Sequence, residues 1–253
     1  MLISNPQISV VIPAHNEENY LPKCLTAISK SRDQHSLDVE TVVVLNRCTD
    51  RTEQIASEFG AKIVREDTKN IARIRNVGVR ASNSHIVVTI DADSYMAQGT
   101  LDEILELLSN PKIVAGGADF QPERKSIPIL LSYGISKLMA KRAGGSMALY
   151  WFRRPAFEAI GGFDEKRPLG EDIDFSSRLR TYAESIGCEY SMLKSSHVVT
   201  SCRKFDQFGD WYAIKLALFG SQRVKSMMDG TNDKDMDTYY YESRSGQRNK
   251  ESE

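Results

Sequence analysis

Four short apolar runs, at 8–12, 39–45, 61–64 and 86–90, alternate with segments whose apolar residues recur at helical spacing. The runs are β-branched and bounded by polar or turn residues, which marks buried strands. Between them, Leu21, Cys24, Leu25 and Ile28 stripe a helix over about 19–29. A second helix runs to Phe59 behind a cap at Thr49 or Asp50, and Gly60 closes it. Ile71, Ile74 and Val77 stripe a third over 70–81, and a fourth covers 100–108. Strand-helix alternation of this kind predicts a parallel, three-layered α/β sheet, whose ligands bind at the carboxyl ends of its strands. Pro13, which has no backbone donor, is expected to stop the first ladder.

The fourth run ends in Asp91-Ala92-Asp93. Two carboxylates one residue apart at a strand end can reach the same cation, and Mg²⁺ or Mn²⁺ is commonly shared between such an acid and a substrate phosphate. Asp is also a favoured turn residue, so the motif needs support from the rest of the chain. Neither G-x-G-x-x-G nor G-x-x-x-x-G-K-[ST] occurs, which argues against dinucleotide and P-loop sites.

The second half is patterned less regularly. Strands are expected at 114–120 and 147–152, a largely apolar core helix at 127–139, and a short helix opened by Arg153-Arg154-Pro155. A turn at Gly161-Gly162-Phe163-Asp164 precedes a helix that begins around Glu171-Asp172-Ile173-Asp174 and ends near Ser185. Acids in its first turn suit the positive end of the helix dipole. From 229 onward the chain reads as a flexible polar tail.

With 33 basic and 34 acidic residues, net charge −1, the chain has no electrostatic footprint for nucleic acid. Cys24, Cys48, Cys188 and Cys202 form no C-x-x-C pair, so reduced thiols are expected. The first six residues lack a basic-then-apolar pattern, and no apolar run reaches the ~18 residues of a membrane span. A cytoplasmic protein is the expectation. Lys137, Lys141 and Arg142 beside the apolar 127–139 segment suit an anionic surface, leaving open a peripheral contact at the inner face of a membrane.

Six segments in order carry a resemblance: Val11-Ile12-Pro13-Ala14-His15-Asn16-Glu17-Glu18, 46–52, 72–78, Asp91-Ala92-Asp93, 157–164 and 170–174. Together they resemble the family 2 glycosyltransferases of the GT-A fold over residues 8 to about 205. The resemblance implies one GT-A-like domain over 1–228, a mixed, mostly parallel sheet flanked by helices. Its half at about 8–110 would bind a nucleotide diphosphate-sugar, and 111–228 a saccharide, lipid-linked or small-molecule hydroxyl acceptor. By position, Pro13, His15 and Glu17 would line the base and ribose pocket. Asn46 stands where the family usually presents an acid to the base, and an amide can still bond a base edge. Arg75 would sit near the base and Asp91, whereas Arg73 reads as a solvated helix face.

Asp91 would contact the ribose or, indirectly, a divalent Mn or Mg ion that Asp93 holds against the diphosphate. His197 is a candidate third metal ligand, and Arg203 with Lys204 would face the leaving group. Asp172 corresponds to the family's base for the acceptor hydroxyl, with Glu171 orienting the acceptor or loop. The implied reaction is a metal-assisted, inverting in-line displacement. Two rivals are a nucleotidyltransferase, which would release pyrophosphate, and a non-catalytic nucleotide-sugar-binding partner subunit, suggested by the missing acid at Leu45-Asn46.

Overall fold

The computed structural model describes residues 6–142, 146–167, 169–211 and 214. The expected alternation is present: β1 (Ile8–Ala14), α1 (Leu21–Gln34), β2 (Val39–Leu45), α2 (Thr52–Glu58), β3 (Lys62–Arg65), α3 (Ile71–Ala81) and β4 (Ile86–Ile90). Then follow β5 (Ser94–Met96), α4 (Thr100–Ser109), β6 (Ile113–Pro122), α5 (Ile127–Arg142), β7 (Leu149–Arg153), α6 (Arg154–Ala159), α7 (Glu171–Ser185), β8 (Glu189–Thr200) and α8 (Arg203–Phe208). The tail expected from 229 lies outside the described residues.

All eight strands belong to one sheet, ordered β3-β2-β1-β4-β7-β6-β8-β5. The β1–β2, β2–β3, β1–β4 and β6–β8 pairings are parallel, whereas β7 runs antiparallel to β4 and β6, and β5 antiparallel to β8. Both halves of the chain therefore share one sheet.

Alternation along the central strands divides the core in two. Val10, Ile12, Val43, Val88 and Ile90 pack with Leu21, Leu25 and Ile28 of α1 and Leu101 and Ile104 of α4. Val11, Val42, Val44 and Val87 face the other way, against Ile74 and Val79 of α3 and the aromatics Phe157, Phe163 and Phe175. Gly78 lets α3 lie directly on the sheet: a Cβ there would come within 2.3 Å of Val11 Cγ1.

Three expectations need correction. Pro13 does not stop its ladder, since β1 continues through Ala14 in register with Leu45. The Ala14 carbonyl accepts from Asn46 N, so alternation turns Pro13 toward β4, where pairing ends at Val11↔Thr89. The missing donor falls where none is needed. Helix α1 runs five residues past Ser29, because buried Ser31 accepts the Leu101 N–H and continues the inner stripe with a polar residue. Finally, α5 is not a core helix. It turns Ile127, Leu130, Leu131, Ile135 and Leu138 outward, while Ile129, Ser132 and Ala140 are buried.

Candidate active site

The loops after β1 and β2 are tied together before any ligand is considered. Glu17 N–H donates to Thr52 Oγ1 (2.7 Å), Glu18 N–H to Asp50 Oδ2 (3.1 Å), and Thr49 N–H to Asn16 Oδ1 (2.8 Å). Asp50 also takes the Thr52 N–H and hydroxyl, which fixes the start of α2. Asn16 (φ 51°) and Arg47 (φ 49°) hold the left-handed backbone in these loops, a cost tolerated where surrounding bonds over-determine the conformation.

Two arginines organise the acids. Buried Arg75, on the inner face of α3, reaches Asp91 Oδ1 through Nη2 and Glu171 Oε1 through Nη1, each at 2.7 Å. Burial works against its charge, but Asp91 and Glu171 outweigh it and hold the guanidinium firmly protonated. Phe163 lies under it, 5.4 Å from ring centroid to guanidinium carbon. The Phe163 turn is itself pinned to α3: Asn76 accepts from Phe163 N and donates to its carbonyl. A Cβ on Gly162 (φ 76°) would lie 2.6 Å from that amide oxygen.

Arg203, at the start of α8, makes the second bridge. Its Nη1 meets Glu17 Oε2 at 2.8 Å and its Nη2 meets Asp93 Oδ2 at 3.0 Å. Ser201 donates its hydroxyl to the same Asp93 oxygen and its N–H to the Asp93 carbonyl, both at 3.0 Å. The guanidinium lies over Tyr20, 4.9 Å from the ring centroid, and its Nε is buried with no hydrogen-bond partner. Each acid of the Asp91-Ala92-Asp93 turn thus has its own arginine, and each arginine holds a second acid from a distant loop.

Asp172 sits beside the Arg75 cluster, with Oδ1 accepting the Ile173 N–H at 2.7 Å. Burial raises its carboxyl above the ordinary aspartate range, with Arg75 opposing. Glu171 is pushed up to about 7, by burial first and then by the Asp172 charge, again against Arg75. Two adjacent acids at a helix start, both held reluctant to ionise, suit proton transfer to and from a bound hydroxyl.

Other candidates are placed differently. Asn46 is buried, and its amide nitrogen donates to the Glu66 (2.5 Å) and Thr68 (2.9 Å) carbonyls, so it is committed to the loop before α3. Its own carbonyl meets His15 Nδ1 at 2.5 Å. Pro13 is buried within β1, while His15 is half-buried. Arg73 is on the exposed side of α3 and pairs with Glu66 and Glu165. His197 is inside β8, opposite Asp119, and its carbonyl accepts from Ala97. That is four residues, roughly 13 Å of strand, before the Ser201 that meets Asp93, so the structure does not bring it to the acids. Ser201 and Tyr20 carry no motif, and they join the site only because β8 ends beside Asp93.

Among the described residues no three His, Cys, Asp or Glu side chains gather to cage a metal ion. The Asp91 and Asp93 side chains keep 35% and 18% exposure. This donor set fits a cation held by one or two carboxylates together with substrate phosphates, and does not fit one held by protein alone.

The family model "Glycosyl transferase family 2" matches residues 9–158. Glycosyltransferase AglE of Haloferax volcanii is 24% identical over 218 residues, covering 81% of this chain and 69% of that protein. Among solved structures, S. aureus TarS 1-349 in complex with UDP-GlcNAc aligns with TM-score 0.62 at 19% identity, over 77% of this chain and 58% of that one. The mannosyltransferase PcManGT of Pyrobaculum calidifontis, solved with GDP-Man and Mn²⁺, aligns with TM-score 0.58 at 23% identity, over 79% and 57%. The chain thus spans less than two thirds of either solved protein, and the likeness to both is one of fold.

Proposed function

The chain belongs to glycosyl transferase family 2, and from that premise we propose that it moves a sugar from a nucleotide diphosphate-sugar to a hydroxyl acceptor. One observation carries the reading: at the carboxyl edge of the sheet, Arg75 joins Asp91 to Glu171 while Arg203 joins Asp93 to Glu17. Loops from both halves of the chain meet there around four carboxylates and two guanidinium groups.

In this reading the tied loops after β1 and β2 hold the nucleoside, with His15 and Glu17 at the pocket wall. Asn46 shapes the wall through its two carbonyl bonds. Arg203 faces the departing diphosphate, and its unpartnered Nε is a donor for a phosphate oxygen. Asp93, with Asp91, would hold a divalent Mn or Mg ion, which when bound supplies positive charge that stabilises the leaving diphosphate. Asp172 takes the proton of the acceptor hydroxyl as that oxygen attacks the anomeric carbon from the side opposite the diphosphate, and a single displacement inverts the centre. Its raised pKa lets it accept a proton without being inert as a base. Glu171, locked to Arg75, orients the turn that presents Asp172.

The test pairs donor binding with product analysis. Thermal shifts with UDP-, GDP- and dTDP-sugars and Mn²⁺ identify the donor. With that donor, Asp172→Asn is expected to keep the shift and lose about 10²- to 10⁴-fold in nucleoside diphosphate release. Wild-type turnover by this variant overturns the assignment. Pyrophosphate as product replaces the reading with nucleotidyl transfer, and donor binding without turnover on any acceptor replaces it with a binding subunit.

A further inference from the structure

Helix α5 is built inside out. Its large aliphatics Ile127, Leu130, Leu131, Ile135 and Leu138 recur at spacings of three, one, four and three, the pattern of a core-facing stripe. Yet their exposures run from 39% to 81%, while the face against the sheet uses Ser132 and Ala140 beside Ile129. Isolated exposed leucines need no explanation; five large aliphatics on one face of a helix do.

The charges around the strip point to its occupant. Helix α5 contains no Asp or Glu, and exposed Lys125 precedes it while exposed Lys141 and Arg142 end it. Lys137 on the same helix pairs with Asp119, and Arg124 with Asp206 and Asp210, so the positive charge at the rim of the strip is carried by Lys125, Lys141 and Arg142. The adjoining α8 segment is bound to the base of α5 by Arg124, which pairs with Asp206 and Asp210, and by contact of the Tyr133 and Phe205 rings. That segment leads to Trp211, 52% exposed. Aliphatic and aromatic side chains rimmed by Lys and Arg are the composition of a helix lying in a membrane interface. Among the described residues no helix is long and apolar enough to cross a membrane.

We propose that the outward face of α5 docks on a lipid surface bearing anionic headgroups. The geometry gives this a consequence for the site. Helix α5 leaves the end of β6, where Pro122 pairs with Thr200 and Glu123 N–H bonds the Thr200 carbonyl, one residue before the Ser201 that holds Asp93. A surface that grips α5 therefore brings the carboxyl edge of the sheet close to the headgroups, where an acceptor carried on a lipid would present its hydroxyl. The docking itself does not depend on the role given to Asp172.

Flotation of the full chain with vesicles tests it, comparing phosphatidylcholine alone with phosphatidylcholine containing phosphatidylglycerol. Wild-type protein is expected to float with the anionic vesicles and to release as salt is raised. Leu131→Glu with Leu138→Glu, both solvent-facing, should reduce vesicle binding at least about tenfold with an unchanged melting temperature. Lys141→Glu with Arg142→Glu should abolish the preference for anionic vesicles. Failure of the wild type to float, or equal flotation of the leucine variant, overturns the proposal. So does a wild-type dimer in solution that the leucine changes split, which assigns the face to a second copy. A leucine variant that melts several degrees lower in the absence of vesicles also overturns it, by showing that the chain covers the face itself.

Discussion

Replacing Arg75 by Met isolates the electrostatic knot on which the site rests. Methionine keeps much of the side-chain length while removing both ion pairs. The two partners are not equal: Asp91 is 35% exposed and can turn to water, whereas Glu171 is 4% exposed as a residue and cannot. Removing one member of a buried pair costs about 3–5 kcal/mol because the remaining charge is stranded. Glu171 can avoid that cost by taking a proton, so the effect must depend on pH.

In the wild type its folded pKa is raised to about 7 from the ordinary 4.5, so its contribution to stability is complete below 4.5 and lost as pH climbs through 7. Deleting Arg75 removes an influence that lowers this pKa and moves it higher still. Below about pH 6 the Glu171 carboxyl is protonated in both folded proteins, and the variant should lose only about 1–2 kcal/mol from its broken hydrogen bonds. Above pH 7 the difference should widen by up to about 1.4 kcal/mol per pH unit, towards the full 3–5. Urea unfolding across this pH range measures it. Adding Glu171→Gln to Arg75→Met should shrink the widening to the part carried by Asp172, whose carboxyl Arg75 also holds down. A difference that is the same at about pH 6 and about pH 9, or smaller than about 1 kcal/mol at the higher value, refutes the reasoning.

Two further substitutions probe the scaffold. Gly116 on β6 has no room for a methyl group, since a Cβ would lie 1.9 Å from the Ser191 carbonyl oxygen and 2.1 Å from the Trp151 ring; Gly116→Ala should cost about 3 kcal/mol in thermal or urea unfolding. Asn46→Asp, which restores the acid common in the family, should destabilise the fold by about 1–3 kcal/mol. It leaves the Glu66 and Thr68 carbonyls facing a carboxylate with no proton to give, and an unchanged melting temperature would show that the two bonds carry no weight.

Local pattern was enough for most of the first half. The β-branched runs and helical stripes report which residues leave water together, and they located β1 to β4, the helices between them and the acids at the end of β4. Asn70, expected as the first residue of the third helix, instead caps it, its side chain accepting from Arg73 N at the start of α3. Strand β5 was not legible, because three residues acquire strand character only by pairing with β8 about a hundred positions later. The inverted α5 was also invisible, since periodicity defines an apolar stripe without saying whether protein lies beneath it.

The site divides along the same line. Asp91, Asp93, Glu171 and Asp172 stand out as acids at strand and helix ends, where dipoles and turns favour them. Which arginine serves which acid is a property of the folded molecule: Arg75 meets Glu171 across 96 positions and Arg203 meets Glu17 across 186. Ion pairs of that span leave no periodic trace, because they depend on how the sheet brings distant loops to one edge. The chain's own order of residues thus determined the layers and the acids, and tertiary packing decided the pairing that turns those acids into a site.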